Sequence, residues 1–348
     1  MNKPLNPSEI RKAQTDNQDK RARDLAATLG ISEADLVAAQ VGFGVTRIAA
    51  HPDTVMPLIP ELGEVMALTR NESCVHERTG TFEKYHSGEH ASMVLGKEID
   101  TRIFPKHWVY GFAVETETPK GPRRSLQFFD AAGDAVQKIY LRDTSNIDAW
   151  EPLVAKLKED DQSQTTEITP TPASEPAKMN ESKRDILLDK WARLTDTHQF
   201  GLVIKKLGMN RLGSYRHAAG ERWVRRVEND SVEGFLNAVS DAKQKVIFFV
   251  GSKGNIQIHW GTLDNIKVMG PWLNVLDPRF NLHLRGDHVS EVYVVEKPTK
   301  RGPAISLEAF DAKGGLIFQC FGQRDDSGEL GAWTDILAAL PDYSEGDA

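Results

Sequence analysis

The sequence predicts an α+β protein with two homologous repeated domains, each a large antiparallel β-sheet with N-terminal and C-terminal helices. Three observations lead to this prediction. The first two are that one set of short motifs occurs twice at a constant offset, and that each copy follows a helical segment. A third is the hydroxyl-rich, proline-containing stretch between the copies, which is typical of a linker. We therefore place the domains at residues 1–158 and 182–345, with a disordered linker at residues 159–181.

The two copies of the motif set are separated by 181 residues. Lys120-Gly121-Pro122 corresponds to Arg301-Gly302-Pro303, and Phe129-Asp130-Ala131 corresponds to Phe310-Asp311-Ala312. Gly-Pro and Asp-Ala-x-Gly are typical of turns, so the segment between them is predicted to be a strand. Matches at one offset over so long a span indicate a duplicated domain.

The first copy begins with helix signals and continues with strand signals. Residues 8–29 are rich in Arg, Lys, Ala and Leu, and Gly30 is a typical helix stop. Ser32 is an N-cap candidate for a second helix. Beyond it, β-branched and aromatic segments alternate with turn residues. Strands are predicted at 45–48, 75–85, 107–114, 125–129 and 135–141, and a closing helix at 149–157.

Composition and charge narrow the class of protein. The chain has 348 residues, 40% hydrophobic and 27% charged, which is ordinary for a soluble globular protein of two domains. Its net charge of −7 argues against nucleic acid as the main partner. No apolar run approaches the roughly 18–20 residues of a membrane helix, and the first residues lack a signal-peptide core. We expect a cytoplasmic protein that is not a membrane protein.

Cysteine usage and motif searches exclude several kinds of site. Cys74 and Cys320 are the only cysteines and lie far apart, which suggests a reducing compartment. The sequence contains no CxxC or HExxH, so a zinc site is not expected. The GxGxxG and Walker patterns of nucleotide-binding loops are also absent.

His198 is the candidate metal ligand. Leu187, Trp191 and Leu194 recur with the spacing of one helix face, and His198 follows four residues further along that face. A neutral imidazole on an apolar wall is how proteins offer a nitrogen to haem iron. A hydrogen-bonded core histidine is the alternative that the spacing leaves open. Lys20 corresponds to His198 in the first copy, so we expect one such site per chain.

The last strand of the second copy has a polar face. Gln319, Phe321 and Gln323 alternate with residues suited to a core, and Arg324 follows directly. Such a face is either solvated or ligand-binding, and the pattern leaves both readings open. Lys297, beside a turn, is by itself an ordinary surface lysine.

Three segments of the second copy carry a family resemblance. Residues 194–200 read Leu-Thr-Asp-Thr-His-Gln-Phe, residues 297–302 read Lys-Pro-Thr-Lys-Arg-Gly, and residues 319–324 read Gln-Cys-Phe-Gly-Gln-Arg. Together with the paired halves, they resemble the cytoplasmic hemin-degrading factors or hemin transport proteins of bacteria, of the HemS type. The resemblance covers essentially the whole chain outside the linker. It implies haem b (hemin), as ligand or substrate, bound in a cleft against the helices of the second copy.

The resemblance also implies the residues of that cleft. His198 corresponds to the axial ligand of the iron, and Arg211 to an arginine on the opposite face of the haem, with a catalytic role. The residues implied at the propionates and pocket edge are Lys297, Gln319, Gln323, Arg324 and, from the first copy, Arg102. Phe321 lies on the same strand, where the family can carry tyrosine, so a hydroxyl is missing there in this chain.

Two functions follow from the resemblance. In the first, a cytoplasmic hemin-binding protein of haem uptake and iron acquisition degrades haem oxidatively and frees the iron, with Arg211 stabilising the oxygen ligand. In the second, a non-catalytic carrier holds hemin and passes it to a separate haem oxygenase. The implied protein partners are an inner-membrane haem importer and a separate oxygenase or reductase. A third reading, a pocket for another planar ligand, stays open.

Overall fold

The computed structural model describes residues 5–119, 121–170, 175–325 and 327–344. Lys120 of the repeated motif and residues 171–174 of the predicted linker lie outside this description. The chain divides into two compact units. Unit 1 contains Met1–Arg70, His76–Thr171 and Gly251–Gln257, and unit 2 contains Asn71–Val75, Pro172–Val250 and Ile258–Ala348.

The helices of the first half are α1 (Pro7–Asp16), α2 (Ala22–Leu29), α3 (Glu33–Ala38), α4 (Pro52–Val55) and α5 (Trp150–Leu157). Its strands are β1 (Val45–Ile48), β2 (Gly63–Arg70), β3 (Cys74–Gly80), β4 (Tyr85–His86), β5 (Ser92–Leu95), β6 (Asp100–Ile103), β7 (Tyr110–Thr118), β8 (Gly121–Phe129) and β9 (Ala135–Ser145).

The helices of the second half are α6 (Arg184–Ala192), α7 (Gln199–Lys206), α8 (Arg211–Ala218), α9 (Ser231–Asp241) and α10 (Trp333–Ala338). Its strands are β10 (Val224–Val227), β11 (Val246–Gly251), β12 (Asn255–Gly261), β13 (Ile266–Met269), β14 (Trp272–Leu276), β15 (Phe280–Arg285), β16 (Val289–Lys297), β17 (Ala304–Asp311) and β18 (Leu316–Gly322).

Strand order repeats between the two halves. Unit 1 contains the antiparallel run β1-β7-β8-β9-β2, and unit 2 contains the corresponding run β10-β16-β17-β18-β11. A second, three-stranded run is β4-β5-β6 in unit 1 and β13-β14-β15 in unit 2. Alternating burial along β2 and β15 shows why these sequences form sheets with one face in a core. The predicted α+β class with two repeated antiparallel-sheet halves is confirmed.

The same helix end, followed by the same capped helix start, occurs in each repeat. Gly30 ends α2 and Gly208 follows α7, with φ of 68° and 72°, a left-handed conformation that glycine adopts without strain. Ser32 and Asn210 then cap α3 and α8 by accepting a hydrogen bond from a backbone N–H three residues on. Glu33 and Arg211 consequently occupy equivalent first positions of equivalent helices, 178 residues apart.

The helix predicted over residues 8–29 is wrong in one respect, because it is two helices. α1 ends at Asp16, where the Asn17 amide donates back to the carbonyl of Ala13 at 2.8 Å. Side chains of this type compete with the helical hydrogen bonds and so favour a helix end. Arg21 is extended before α2 begins. No helix in the described part of the chain combines the length and hydropathy needed to cross a bilayer.

Part of the predicted linker is held against unit 1. The Gln162 amide donates to the carbonyl of Arg47 at 2.9 Å, and the Gln164 amide donates to that of Val41 at 2.8 Å. The Arg47 guanidinium donates to the carbonyl of Thr165 at 2.7 Å. These contacts are made by polar side chains. The lack of apolar residues in this segment therefore did not indicate that it packs against unit 1.

A buried ion cluster joins the helices of unit 1 to its sheet. Glu33, at the start of α3, accepts hydrogen bonds from Lys138 on β9 and Arg70 on β2. Its side chain is 6% exposed. Burial raises the pKa of Glu33, but the charges of Lys138 and Arg70 outweigh burial and lower that pKa to about 2.

Glu33→Gln should therefore destabilise unit 1 by roughly 3–5 kcal/mol, because two buried cations lose their carboxylate. The folded pKa lies below the unfolded value, so this contribution is present above about pH 4.5 and is lost as the pH falls towards about 2. Thermal unfolding of wild type and variant across this range measures the difference. The matched control is Glu61→Gln, which breaks a solvent-exposed pair with Lys156 and should cost less than about 1 kcal/mol. Equal effects of the two variants would contradict this account.

Candidate functional site

Helices α6, α7 and α8 pack on one face of β16 and β17 through an aromatic cluster. The cluster consists of five almost fully buried side chains, which are Trp191, Phe200, Tyr215, Tyr293 and Phe310. The ring of Tyr215 on α8 is central, with centroids 5.8 Å from Phe200, 5.7 Å from Tyr293 and 5.8 Å from Phe310. The Trp191 indole on α6 also donates to the carbonyl of Glu296 at 2.8 Å. These contacts fix the helices on the sheet.

A buried network of polar groups lies at the edge of this aromatic cluster. The Glu308 carboxylate on β17 accepts from Lys297 Nζ, from Arg211, from the Tyr215 hydroxyl and from Ser306 Oγ, each at 2.9 Å. Lys297 Nζ also donates to the Tyr215 oxygen at 2.9 Å. We call these five residues the Glu308 cluster. It ties the first turn of α8 to two strands.

The electrostatics of the Glu308 cluster are those of a buried carboxylate shared by two cations. Glu308 is fully buried and the Lys297 side chain is 3% exposed, whereas that of Arg211 is 33% exposed. Burial raises the pKa of Glu308, but Lys297 and Arg211 outweigh it and hold that pKa well below its usual range. Burial lowers the pKa of Lys297 to about 8, against the attraction of Glu308. Arg211 is thus the one cation of the cluster that reaches the surface.

His198 lies on a turn and not on the helix that its spacing predicts. α6 ends at Ala192 and α7 begins at Gln199, so the prediction of one continuous apolar face is wrong. The turn forms because Asp196 Oδ1 accepts from the backbone N–H of His198 at 2.8 Å, and Gln199 Oε1 accepts from that of Thr195 at 3.0 Å. The alternative of a buried core histidine is also wrong, because the His198 side chain is 95% exposed.

The imidazole of His198 is oriented by a carboxylate. Its Nδ1 lies 2.7 Å from Asp196 Oδ1, which leaves Nε2 directed away from that contact. This is the arrangement in which histidines bind metals, with one nitrogen on a carboxylate and the other free. Two residues on, Phe200 enters the core, and Lys297 Nζ lies 5.0 Å from its ring centroid. The turn is also joined to the β16–β17 connection, where the Lys300 N–H donates to the Thr195 carbonyl at 3.1 Å.

The predicted polar face of β18 adjoins the Glu308 cluster. Gln319 lies opposite Glu308 in the ladder, and its side chain helps to lower the pKa of that carboxylate. Phe321 lies opposite Ser306, is half-buried, and meets the ring of Phe249 edge-on at 5.7 Å. The face is therefore neither simply solvated nor simply core. It is an apolar surface with an amide and two cations at one border.

Gln323 and Arg324 lie where β18 ends. The backbone N–H of Gln323 donates to the carbonyl of Lys245 at 2.9 Å. The Arg324 guanidinium is exposed and donates to the carbonyls of Gly328 at 2.7 Å and Pro303 at 3.1 Å. Arg324 thus holds the β16–β17 turn next to the strand end. Arg102 belongs to unit 1, where it lies on β6 and donates to Asp100.

Three residues of this site were not predicted from the sequence. They are Tyr215, Glu308 and Asp196. Tyr215 lies four residues after Arg211 on one face of α8, and this spacing in the sequence indicates that the two side chains are neighbours. Glu308 is a charged residue at an inward position of an alternating strand, which is a signal for a buried ion pair. Asp196 precedes His198 by two residues and is a typical turn residue.

Comparison with known proteins places this geometry in a family. The family model described as the haemin-degrading HemS.ChuX domain matches residues 30–157 and again residues 208–340. The matches begin at Gly30 and Gly208, the equivalent glycines at which α2 and α7 end. The internal repeat predicted from the sequence is thereby confirmed.

Whole-chain relatives agree with the family model. The hemin transport protein HemS of Yersinia enterocolitica is 36% identical over 94% of this chain and 95% of its own. The structure of holo-PhuS, a heme-binding protein from Pseudomonas aeruginosa, is 36% identical with a TM-score of 0.92, covering 97% of this chain and 100% of that one. The Escherichia coli O157:H7 heme degrading enzyme ChuS is 30% identical with a TM-score of 0.86, covering 95% and 97%. The chain therefore belongs to the haemin-degrading HemS/ChuX family.

Proposed function

We propose that this chain binds one hemin through His198 and degrades it oxidatively to release iron. The observation that carries the proposal is the exposed His198 imidazole, with Nδ1 held 2.7 Å from Asp196 and Nε2 without a hydrogen-bond partner among the described residues. Ferric iron takes a neutral imidazole nitrogen, and a carboxylate on the other nitrogen fixes the tautomer and strengthens the ligand. Hemin enters this proposal as substrate.

The Glu308 cluster and the face of β18 suit the rest of the hemin molecule. Hemin is a large apolar disc with two carboxylates at one edge. Phe321 and Phe249 supply a half-buried apolar surface. In the Glu308 cluster two cations face one carboxylate, so one positive charge is in excess, and Arg211 brings it to the surface. We assign this charge to the oxygen ligand of the iron and not to a propionate, since an arginine stabilises a negative oxygen with directional hydrogen bonds.

Arg211 is proposed as the catalytic residue. Its guanidinium stays charged at all relevant pH values. Burial lowers the pKa of Arg211, but the adjoining Tyr215 and Glu308 outweigh burial and raise that pKa above its usual value. Glu308 and Tyr215 hold it by hydrogen bonds of 2.9 and 3.3 Å, so it is positioned before any ligand arrives. A preorganised positive charge stabilises negative charge that develops during a reaction and costs no reorganisation at that moment.

A carrier is the second candidate function, and the exposure of His198 favours it. A ligand histidine whose side chain is 95% exposed can be exchanged for a residue of another protein without opening a core. In this version the chain takes hemin from an inner-membrane importer and delivers it to a separate oxygenase or reductase. We place both versions in the cytoplasm, which the two free, buried cysteines support.

His198→Ala should shift the Soret band of the hemin complex and lower hemin affinity by more than Asp196→Ala, which removes only the supporting carboxylate. Loss of such a partner costs about 10-fold to 100-fold in metal affinity. Added imidazole should restore part of the His198→Ala spectrum. His90→Ala, which changes an exposed histidine of unit 1, is the control and should bind hemin normally. An unaltered spectrum and affinity in His198→Ala would remove His198 from the site.

Arg211→Ala should leave hemin uptake largely intact while degradation falls about 100-fold or more, the usual cost of losing one preorganised electrostatic group. Binding is followed by Soret titration and degradation by iron release. Arg193→Ala, which changes an arginine paired with Asp189 on the surface, should affect neither. A folded Arg211→Ala protein that no longer takes up hemin would show that Arg211 holds a propionate instead.

Enzyme and carrier are separated by incubating the hemin complex with an electron donor and O2, with and without catalase. Loss of the Soret band with iron release in the presence of catalase is the result expected of an enzyme. Catalase removes free peroxide, so degradation that depends on peroxide in solution would stop. Stable hemin that moves quantitatively to an added haem oxygenase is the result expected of a carrier.

A further inference from the structure

Unit 1 contains a cavity of about 1140 Å³ between its N-terminal helices and the sheet strands β7, β8 and β9. Cavities of roughly 300–1,000 Å³ are typical of small-molecule sites, so this one has room for a large organic ligand. Four of its sheet residues are Ser125, Gln127, Lys138 and Tyr140. At the repeat offset of 181 these positions correspond, in order, to Ser306, Glu308, Gln319 and Phe321. The cavity therefore lies on the same sheet face and register as the candidate site of unit 2.

Two substitutions between the repeats explain why the space is open in unit 1. Tyr215, whose ring fills the centre of the unit 2 helix–sheet contact, corresponds to Val37 on α3. Lys297, whose side chain lies beside that ring, corresponds to Thr116 on β7. Val37 and Thr116 both line the cavity. Replacing a tyrosine and a lysine by smaller residues leaves the volume that they occupy in unit 2.

The described lining of the unit 1 cavity has features that suit a tetrapyrrole, but it has no histidine in the role proposed for His198 in unit 2. Phe43 and Val45 are apolar parts of its lining, and the Arg123 guanidinium carbon lies 4.6 Å from the ring centroid of Tyr140. Within the described residues Arg123 has no carboxylate partner, so its charge is available to an anion. No histidine, cysteine or methionine is among the residues that line the described cavity. An iron atom would find no imidazole or sulfur ligand there.

Gln127 adds an unsatisfied hydrogen-bond acceptor. Gln127 is 8% exposed, and its Nε2 donates to Ser125 Oγ at 3.0 Å. Its Oε1 is buried and has no donor among the described residues. Buried polar atoms are almost always hydrogen-bonded, so this oxygen calls for a donor from a bound molecule. The pyrrole N–H groups of a metal-free tetrapyrrole are donors of that kind. In an opened chain they can turn towards an outside acceptor, whereas in a closed porphyrin they point into the centre of the ring.

We propose that the unit 1 cavity is a second tetrapyrrole site, which binds a metal-free tetrapyrrole dicarboxylate. Gln127 Oε1 accepts from a pyrrole N–H, Arg123 binds a carboxylate, and the apolar walls cover the ring. The choice of ligand class rests on the proposed hemin function of unit 2, since the cavity is the repeat equivalent of that site. An opened chain can make all of these contacts, whereas a closed porphyrin can make only those to Arg123 and the apolar walls.

The test titrates the full-length His198→Ala protein with protoporphyrin IX and, separately, with biliverdin, followed by porphyrin fluorescence and induced circular dichroism. We expect one equivalent of at least one probe to bind. Adding Val37→Tyr, which refills the cavity as Tyr215 does in unit 2, should lower that affinity at least tenfold. Adding Arg123→Gln, a change at an exposed side chain that leaves the core intact, should lower it about tenfold. Binding of protoporphyrin alone identifies a closed ring, and binding of biliverdin alone identifies an opened one.

Three results would overturn the inference. One is that neither probe binds. Another is that binding is unaffected by both Val37→Tyr and Arg123→Gln, in which case the probe lies elsewhere. The third is that hemin itself binds His198→Ala with a spectrum that changes on Tyr140→Phe, which would make the cavity an iron-ligating site. Hemin titration of the wild type and of Val37→Tyr reports on the function proposed for unit 2, so failure of that function is recognised separately.

Discussion

The structure of unit 2 depends on the fully buried carboxylate of Glu308. A buried carboxylate is stable only when cations and donors surround it, and here Lys297, Arg211, Tyr215 and Ser306 all do so at 2.9 Å. Because these groups come from two strands and one helix, the same interaction sets the position of α8 on the sheet. It also determines how Arg211 is presented at the surface, and so links the core to the proposed chemistry.

Much of the architecture could be predicted because it rests on short-range patterns. Turn motifs repeated at one offset identified the duplication, and β-branched and aromatic segments between turn residues identified strands such as β1 and β9. The break between α6 and α7 could not be predicted from apolar spacing. It depends on Asp196 and Gln199 capturing backbone N–H groups, which competes with a helix that the apolar pattern alone would continue.

The candidate site was predictable only in part. Resemblance to a family pointed to His198, Arg211, Lys297 and Gln319, and the structure brings the last three together around one carboxylate. That carboxylate was not foreseen, because its partners Lys297 and Arg211 lie 11 and 97 residues away in sequence. A charged residue at an inward strand position signals that a partner exists, yet only the fold shows which residue it is.

The sign of the buried ion pair is reversed between the two repeats. The first position of the helix is Glu33 in unit 1 and Arg211 in unit 2, and each meets the opposite charge on its own sheet. An exchange of α3 for α8 by recombination would bring Arg211 towards Lys138 and Arg70, or Glu33 towards Glu308. The first hybrid would place three cations together without a carboxylate, and the second would leave two carboxylates beside the single cation Lys297. Because of this reversal, neither helix can replace the other without upsetting the charge balance of a core, so exchange between the two halves would be selected against and their difference would be preserved.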